Sequence, residues 1–253
     1  ALNRPDKANA MSEPMWYEIE QAMEWLDSTP EARVGVLAGR GKYFTSGIDL
    51  SLLMSLGSKI EDEDDGRRRE KLRRLILRLQ DTLTSIERCR KPVLAAIHGA
   101  CIGGGIDLVT ACDMRYCSAN TGFSVKEIDV GMTADVGTLQ RLPRLIGEGM
   151  ARELAYTGRK VDGIEAQKIH LVNRCFETPE ALETGVMEIA RTIAAKSPLA
   201  IRGCKEMITY GRDHSVADGL NYIATWNAAM LLSKDLFEAG TAAMQKRNPV
   251  FKD

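Results

Sequence analysis

Residues 91–107, KPVLAAIHGACIGGGID, decide how the middle of this 253-residue chain folds. The run begins with Lys-Pro and continues with apolar residues, which predicts a buried strand entered by a proline that cannot donate to the ladder. The strand runs to about His98 and leads into a glycine turn over residues 98–107, with three glycines at 103–105, and the apolar segment 106–112 is typical of a helix. If the glycines open that helix, its first backbone N–H groups have no intrahelical partners, and their dipoles favour negative charge.

A second glycine turn also follows a predicted buried strand. Residues 41–50, GKYFTSGIDL, directly follow the short apolar run 33–38, which we predict to be a buried strand. Glycine lets a backbone approach a ligand closely because no Cβ blocks the way. Two amides that converge from separate turns would make an oxyanion hole, which is the functional interpretation of both turns. The alternative, that the glycines only permit tight strand-to-helix packing, stays open on these residues alone.

Outside these turns the chain alternates strands and helices up to about residue 130 and is mainly helical after Gly137. Apolar spacing predicts helices over 11–27 and 72–86, and short strands over 114–118 and 123–125. The later elements are a strand over 171–176 and helices over 138–146, 149–157, 164–168, 179–196, 198–210, 215–232 and 234–246. The alternation indicates an α/β fold with crossover connections. We divide the chain into a core, residues 1–196, and a helical region, residues 197–253.

Composition and charge argue against two classes of protein. The 34 Lys+Arg and 35 Asp+Glu give a net charge of −1, which argues against a nucleic-acid partner. The longest uncharged stretch near the middle, 92–106, has 15 residues and is interrupted by glycines. A membrane-spanning helix needs about 20 apolar residues, so we predict no membrane partner.

Cysteine and histidine usage bears on metals and on the compartment. None of the six cysteines forms a Cys-x-x-Cys pair, and the three histidines are too scattered to complete a zinc site, so we predict no metal and a reducing compartment. The first residues, ALNRPDK, show no signal peptide. The default expectation is the cytoplasm of a bacterium, or a mitochondrion or peroxisome if the chain is eukaryotic and lacks its targeting segment.

Three carboxylates are the remaining candidates for chemistry. The chain lacks the signature motifs of dinucleotide-binding, P-loop, zinc-protease and serine-hydrolase sites. Asp107 lies about one helical turn beyond Gly104, and Glu127 and Asp135 flank a mostly apolar segment. An acid that faces an apolar pocket has a raised pKa, which suits general acid–base catalysis. The alternative is a cap or a salt bridge, to which we assign Asp129.

The chain resembles the crotonase (enoyl-CoA hydratase/isomerase) superfamily over nearly its whole length. The matching stretches are NRPDKANAM at 3–11, FTSGIDL at 44–50, KPVLAAIHG at 91–99, GGGID at 103–107, ACD at 111–113 and KRNPVFK at 246–252. Within the superfamily it is most similar to the 3,5–2,4-dienoyl-CoA isomerases. That similarity is carried by FSVKEIDVG at 123–131, ADVGTLQRLP at 134–143, SP at 197–198, RDHS at 212–215 and ATWN at 224–227.

The resemblance implies a fold, a substrate and an assembly. The fold is an α/β spiral of ββα turns with a helical C-terminal trimerisation region, and the assembly is a homotrimer or a homohexamer. The substrate is an acyl-CoA whose thioester oxygen is held by the backbone N–H groups of Ile48 and Gly104. Residues that match CoA-binding positions are Lys7, Ala8, Ser46, Gly47 and Lys246. The family's aromatic residue three positions before that last lysine is Ala243 here.

The acids separate two activities within the superfamily. Hydratases carry two glutamates, and this chain has Asp107 and Glu127 at those positions; Asp135 lies where the dienoyl isomerases carry a catalytic aspartate. The resemblance therefore implies isomerisation of 3,5-dienoyl-CoA to 2,4-dienoyl-CoA in fatty-acid β-oxidation. We assign the C2 proton to Glu127, the C6 proton to Asp135 and an auxiliary role to Asp107, with no metal or redox cofactor. The alternatives are an enoyl-CoA hydratase and a noncatalytic acyl-CoA- or RNA-binding relative.

Overall fold

Two small sheets organise the chain, which a computed structural model describes over residues 1–253. One sheet has four parallel strands in the order β1-β2-β4-β7. The other has the order β3-β5-β6, in which β3 and β5 are parallel and β6 is antiparallel. The strands are β1 Gly35–Ala38, β2 Val93–Ile97, β3 Ala100–Ile102, β4 Met114–Ser118, β5 Gly122–Ser124, β6 Val161–Asp162 and β7 Arg174–Phe176.

Helices connect and cover the two sheets. Two single turns of 3₁₀ helix occur at Pro5–Lys7 and Glu127–Val130. The α-helices are α1 Glu13–Ser28, α2 Leu50–Lys59, α3 Asp65–Arg88, α4 Gly104–Thr110, α5 Thr138–Ile146, α6 Glu148–Thr157, α7 Gly163–Lys168, α8 Pro179–Ala194, α9 Pro198–Tyr210, α10 Val216–Met230 and α11 Lys234–Met244. Residues 61–65 are all acidic, and α3 begins at the last of them because the Asp64 side chain accepts from Arg67 N and caps the helix.

Successive turns of chain give one strand to each sheet. The chain passes from β2 to β3 and then into α4, and it passes in the same way from β4 to β5. The first turn supplies only an isolated bridge from Thr45 to Cys101, and Cys101 is in turn paired with Phe123. This stacking of strand pairs is the ββα spiral that the resemblance implies. It places the ends of two glycine turns beside each other.

The core lies on both faces of the four-stranded sheet. All five residues of β2 are buried, which explains their continuous apolar sequence. Helix α8 packs against the strands of this sheet through Leu182, Val186 and Ala190. The other face is covered by α1, α3 and α4, and it includes the fully buried Phe44 and Leu83. Each large apolar side chain buried in this way contributes about 1.5–3 kcal/mol.

Most predicted elements are present, but one α-helix and two short strands were not predicted. No element was predicted over 50–59, where α2 forms with Asp49 as its N-cap. It treated 100–102 as part of a turn, whereas these residues form β3. It also missed β6, a two-residue strand too short for any periodicity to be detected. The strand predicted over 171–176 is confined to the last three residues of that range.

The helical region after residue 196 packs loosely on the rest of the chain. Lys205 of α9 anchors it, since Nζ donates to Asp113 Oδ2 at 2.9 Å and to the carbonyl of Ile86 at 3.1 Å. Helix α10 buries none of its residues. Large apolar side chains are exposed on α10, on α11 and between them, namely Val216, Leu220, Met230, Leu231, Leu232, Leu236, Phe237 and Met244. The division at 196/197 stays a prediction.

Two kinds of feature are absent from the chain. No helix combines the length and the apolar character needed to cross a bilayer. No group of three or more His, Cys, Asp or Glu side chains is arranged to hold a metal ion.

Candidate active site

The predicted oxyanion and acid residues border one cavity of about 320 Å³. Ile48, Gly104, Asp107, Glu127 and Asp135 all contribute to its wall. Apolar side chains from α1, α2 and α3 form most of the remainder, among them Trp16, Leu52, Leu53, Leu56, Leu75 and Leu79. Sequence analysis missed this apolar wall, although the 3–4-residue spacing of Leu52, Leu53 and Leu56 is a helical signal.

The Ile48 amide is held by its neighbours and is itself free. Met11 N donates to Gly47 O at 2.8 Å, and Asp49 N donates to Met11 O at 3.1 Å, so the two peptides that flank Ile48 are fixed to one residue. The N–H of Ile48 donates to no group of the protein. Gly47 has φ +94°, and a Cβ there would lie 2.7 Å from the Ile102 carbonyl oxygen. Only glycine meets both demands.

The Gly104 amide is free for a different reason, because it opens helix α4. Gly103, the N-cap, has φ +52°, and its N–H donates to Ser124 O at 2.9 Å. The N–H of Gly104 has no partner, as expected at the first turn of a helix. A Cβ on Gly104 would lie 3.6 Å from the Ile48 nitrogen, so the two free amides border the same small space. This arrangement favours the oxyanion interpretation over simple packing.

Asp107 is the most deeply buried of the three acids. It lies in the first turn of α4, and only 1% of the residue is exposed. Its Oδ1 accepts from Thr138 N at 2.5 Å, whereas Oδ2 has no hydrogen-bond partner. Burial raises the pKa of Asp107 to about 6, against the opposing effect of the Thr138 hydrogen bond.

Glu127 lies beside the glycine turn. It begins the 3₁₀ turn after β5, and its Oε1 is 3.1 Å from where a Cβ on Gly103 would be. Its Oε2 is buried without a partner. Burial, followed by the like charge of Asp107, raises the pKa of Glu127 to about 7. The neighbouring Asp129 instead pairs with Lys126 and does not line the cavity, as predicted for it.

Asp135 completes the acidic part of the cavity. It is half-buried, and burial raises its pKa. Its backbone carbonyl accepts from Gln80 Nε2 of α3 at 2.6 Å, a contact that sequence analysis missed. The cavity therefore combines two unpaired amides with three acids that share a raised pKa. Such a site can stabilise a developing oxyanion and move protons at carbons near it.

The residues predicted to bind CoA are divided between two places. Ser46 N donates to Ala8 O at 2.9 Å, which sets the exposed Ser46 beside the turn that carries Lys7. Gly47 follows directly and leads to the Ile48 amide. Lys246 is exposed just beyond the end of α11 and does not line the cavity.

Comparison with known proteins identifies the family. The family model for enoyl-CoA hydratase/isomerase matches residues 1–253. A relative from Arabidopsis thaliana, named Delta(3,5)-Delta(2,4)-dienoyl-CoA isomerase, peroxisomal, is 50% identical over 251 residues, or 99% of this chain and 90% of the relative. The mitochondrial protein of the same name from Mus musculus is 46% identical over 98% of this chain and 76% of its own length.

A solved structure gives the same result for the fold. The crystal structure of an enoyl-CoA hydratase from Bacillus anthracis superposes with a TM-score of 0.89 at 32% identity, over 99% of this chain and 93% of that chain. The predicted fold class, a crotonase-like ββα spiral, is confirmed, and so is the resemblance on which it was based. The chain belongs to the enoyl-CoA hydratase/isomerase family.

Proposed function

We propose that this chain is a dienoyl-CoA isomerase, which converts 3,5-dienoyl-CoA to 2,4-dienoyl-CoA in fatty-acid β-oxidation. One observation carries the proposal: Asp135 lines the same cavity as Asp107 and Glu127, beside the two free amides. Relatives that are 45–50% identical over nearly the whole chain are named dienoyl-CoA isomerases, which supports the same activity.

The proposed reaction has two proton transfers at distant carbons. Glu127 removes a proton from C2, and the charge spreads along the conjugated chain onto the thioester oxygen. The Ile48 and Gly104 amides stabilise that oxygen. Asp135 then donates a proton to C6, so the double bonds move from C3 and C5 to C2 and C4. Each turnover leaves Glu127 protonated and Asp135 ionised, and exchange with water restores both.

The ionisation of the acids suits these roles. A base must be ionised and still hold a proton well, and a pKa of about 7 for Glu127 meets both needs near neutral pH. A raised pKa keeps more of Asp135 protonated, as an acid requires. Asp107 acts as an auxiliary acid that adjusts Glu127 through its charge. These steps use groups of the chain and of the substrate, without a metal or redox cofactor.

Two other functions are compatible with the family. An enoyl-CoA hydratase would use Asp107 and Glu127 to add water, and it would have no need of Asp135. A noncatalytic acyl-CoA or RNA binder would need none of the three acids. Placing one buried and two half-buried carboxylates in one cavity is costly, and this favours catalysis over mere binding.

The experiment is a parallel incubation with 3,5-octadienoyl-CoA and 2-octenoyl-CoA, followed by ultraviolet absorbance. We expect a conjugated dienoyl thioester to appear from the first substrate. Loss of enoyl absorbance from the second, without reaction of the first, would identify a hydratase instead. Asp129→Asn is the matched control for substitutions of Glu127 and Asp135, because this exposed acid lies between them and outside the cavity.

We further propose that CoA is bound by Lys7, Ala8, Ser46 and Gly47, with Lys246 near the nucleotide. The first four lie in adjoining turns that lead to the Ile48 amide.

The relatives' names give peroxisome and mitochondrion, which are the compartments we predicted for a eukaryotic chain.

We also propose that the chain assembles as a trimer or as a pair of trimers. The support is the exposed apolar surface of α10 and α11, where Leu220 is 64% and Leu232 is 79% exposed. Apolar surface of this extent is usually covered by a partner. Light scattering coupled to size exclusion at micromolar protein should give three or six times the 27.9 kDa chain mass. A mass near 27.9 kDa would contradict the proposal.

A further inference from the structure

One short segment, residues 135–138, connects two of the three acids. Asp135 is its first residue. Thr138, its last, opens α5 and donates its N–H to Asp107 Oδ1 at 2.5 Å. A displacement of this segment would therefore move the Asp135 carboxyl and weaken a hydrogen bond to Asp107 at the same time.

Side chains from outside the cavity hold this segment. Gln80 Nε2 donates to the carbonyl of Asp135 at 2.6 Å, and Arg141 Nη1 reaches the carbonyl of Val136 at 3.4 Å. Arg141 is fixed in turn by Glu87 of α3, whose Oε2 accepts from Nε at 2.9 Å and from Nη2 at 2.6 Å. Thr84 Oγ1 accepts a further bond from Nη2 at 3.3 Å.

Glu87 is the centre of this arrangement. Its other oxygen, Oε1, accepts from Arg212, which lies in the helical region after residue 196. Burial by itself would raise the pKa of Glu87, but the hydrogen bonds and charges of Arg141 and Arg212 lower it. Glu87 is thus an ionised carboxylate, only 15% exposed, that joins α3, α5 and the C-terminal helices.

Neither Glu87 nor Arg141 faces the substrate cavity. Both line a second, polar cavity of about 420 Å³. Val136 lines both cavities, so it lies between the ion pair and the acids. A buried ion pair is by itself weak evidence for stability, because removing its charges from water is costly. The Glu87–Arg141 pair lies behind the segment that carries Asp135, and this position indicates a functional role for the pair.

We propose that Glu87 is a positioning residue, which through Arg141 fixes residues 135–138 and so places Asp135 for proton donation at C6. The inference rests on the proposed function, since that function assigns the C6 proton to Asp135. Glu127 is held separately, by the turn after β5. Loosening the Glu87–Arg141 pair should therefore slow protonation at C6 more than removal of the C2 proton.

Two variants separate charge from geometry. Glu87→Gln keeps the shape and removes the charge, whereas Arg141→Lys keeps the charge and removes the planar group that reaches Glu87, Thr84 and Val136 together. For both we expect kcat to fall roughly tenfold with KM within about twofold, as for a small misplacement of a reacting group. In deuterium oxide, deuterium uptake at C2 of recovered substrate, relative to turnover, should rise by roughly tenfold.

The exposed pair Asp81–Arg88 on the same helix provides the controls, Asp81→Asn and Arg88→Lys. Both controls should keep the wild-type ratio of uptake to turnover. If uptake and turnover fall together in Glu87→Gln and Arg141→Lys, the pair is only structural and the inference is wrong. An unchanged kcat in both variants would overturn it as well.

An activity-independent measurement keeps this inference separate from the proposed function. Hydrogen–deuterium exchange of the backbone amides of residues 135–142 should be faster in both variants than in wild type and in the controls. If wild type fails to isomerise any dienoyl-CoA, the proposed function is wrong, and this exchange then decides whether Glu87 holds the segment. Unchanged exchange would show that it does not.

Discussion

The two sides of the cavity present different chemical groups, backbone amides on one side and acidic side chains on the other. On the amide side, Ile48 and Gly104 offer backbone N–H groups whose direction is fixed by hydrogen bonds of neighbouring residues and by the start of α4. On the acid side, Asp107, Glu127 and Asp135 offer side chains whose charge depends on burial and on one another. The dipoles of the amide side keep a fixed direction, whereas Asp107 and Glu127 on the acid side, with pKa values of about 6 and about 7, change charge near neutral pH.

This difference determines how each side responds to change. A backbone donor cannot be removed by a side-chain substitution, so the amide side is altered only by forcing the chain to move. An acid can be neutralised with almost no change of shape. Mutations on the two sides should therefore differ in their dependence on pH as well as in size.

The largest effect is expected from neutralising the acid side. Glu127→Gln and Asp135→Asn should each lower kcat by about 10²–10⁴, because each removes a group that is proposed to transfer a proton. Binding of a saturated acyl-CoA, measured by calorimetry, should remain nearly unchanged. Asp129→Asn, the exposed control, should keep wild-type turnover. Wild-type turnover in Asp135→Asn would refute the assignment of the C6 proton to that residue.

A somewhat smaller effect is expected from displacing the amide side. Gly47→Ala puts a Cβ 2.7 Å from the Ile102 carbonyl oxygen at a residue with φ +94°, so the peptide that carries the Ile48 amide must shift. Misplacing one oxyanion donor costs about 10²–10³ in kcat. The matched control is Gly57→Ala in α2, where a Cβ meets nothing within 4 Å.

The pH profile of Gly47→Ala distinguishes the two sides further. Its kcat should be low at every pH, with the acidic limb where wild type has it, since no charge has changed. A shifted limb together with correct folding by circular dichroism would mean that the amide and acid sides are not independent.

A moderate effect is expected from Asp107→Asn. Glu127 must lose its proton to act as a base, so wild-type kcat should fall as the pH drops through about 7. The charge of Asp107 helps to raise that pKa, and its removal should move the acidic limb to lower pH. The loss at the plateau should be about tenfold or less, which kcat measured from about pH 5 to 9 would test. A limb that stays in place or moves upward would contradict the coupling.

The smallest effect is expected outside the cavity, at Lys246. This exposed lysine is proposed to contact the CoA nucleotide, so Lys246→Ala should weaken CoA binding several-fold at low salt and less at high salt. Calorimetric titration with CoA at two ionic strengths measures this. Equal affinity of wild type and variant at both salt concentrations would mean that Lys246 is only a solvated side chain.

The glycine turns and acids that border the cavity could be picked out from the sequence, whereas most of the surrounding wall could not. Gly47 and Gly104 could be interpreted because a left-handed φ and an unpaired amide at a helix start are local properties of the backbone. The cavity wall from α2 was not predicted, because its leucines face a space that exists only once α1 and α3 are packed together.

The contacts that hold the acids were also beyond the sequence. Gln80 and Glu87 lie more than fifty positions from the carbonyl and the guanidinium that they bind. No local pattern distinguishes these two polar residues from the solvated residues of the same amphipathic helix. Only the packing of α3 beside α5 reveals what they do.

The unpaired oxygens of Asp107 and Glu127 have a consequence for folding stability. Their pKa values in the folded chain, about 6 and about 7, exceed the ordinary values of 3.8 and 4.5, so folding takes up protons between these limits. The stability they contribute is fully present below about pH 4 and is lost as the pH rises through about 6 and 7. The contribution of Asp49 to stability depends on pH in the opposite direction, because hydrogen bonds from Ser51 and Arg4 lower its pKa to about 2. At neutral pH the ionised forms of Asp107 and Glu127 therefore lower the stability of the folded chain, and the rest of the fold must offset this effect.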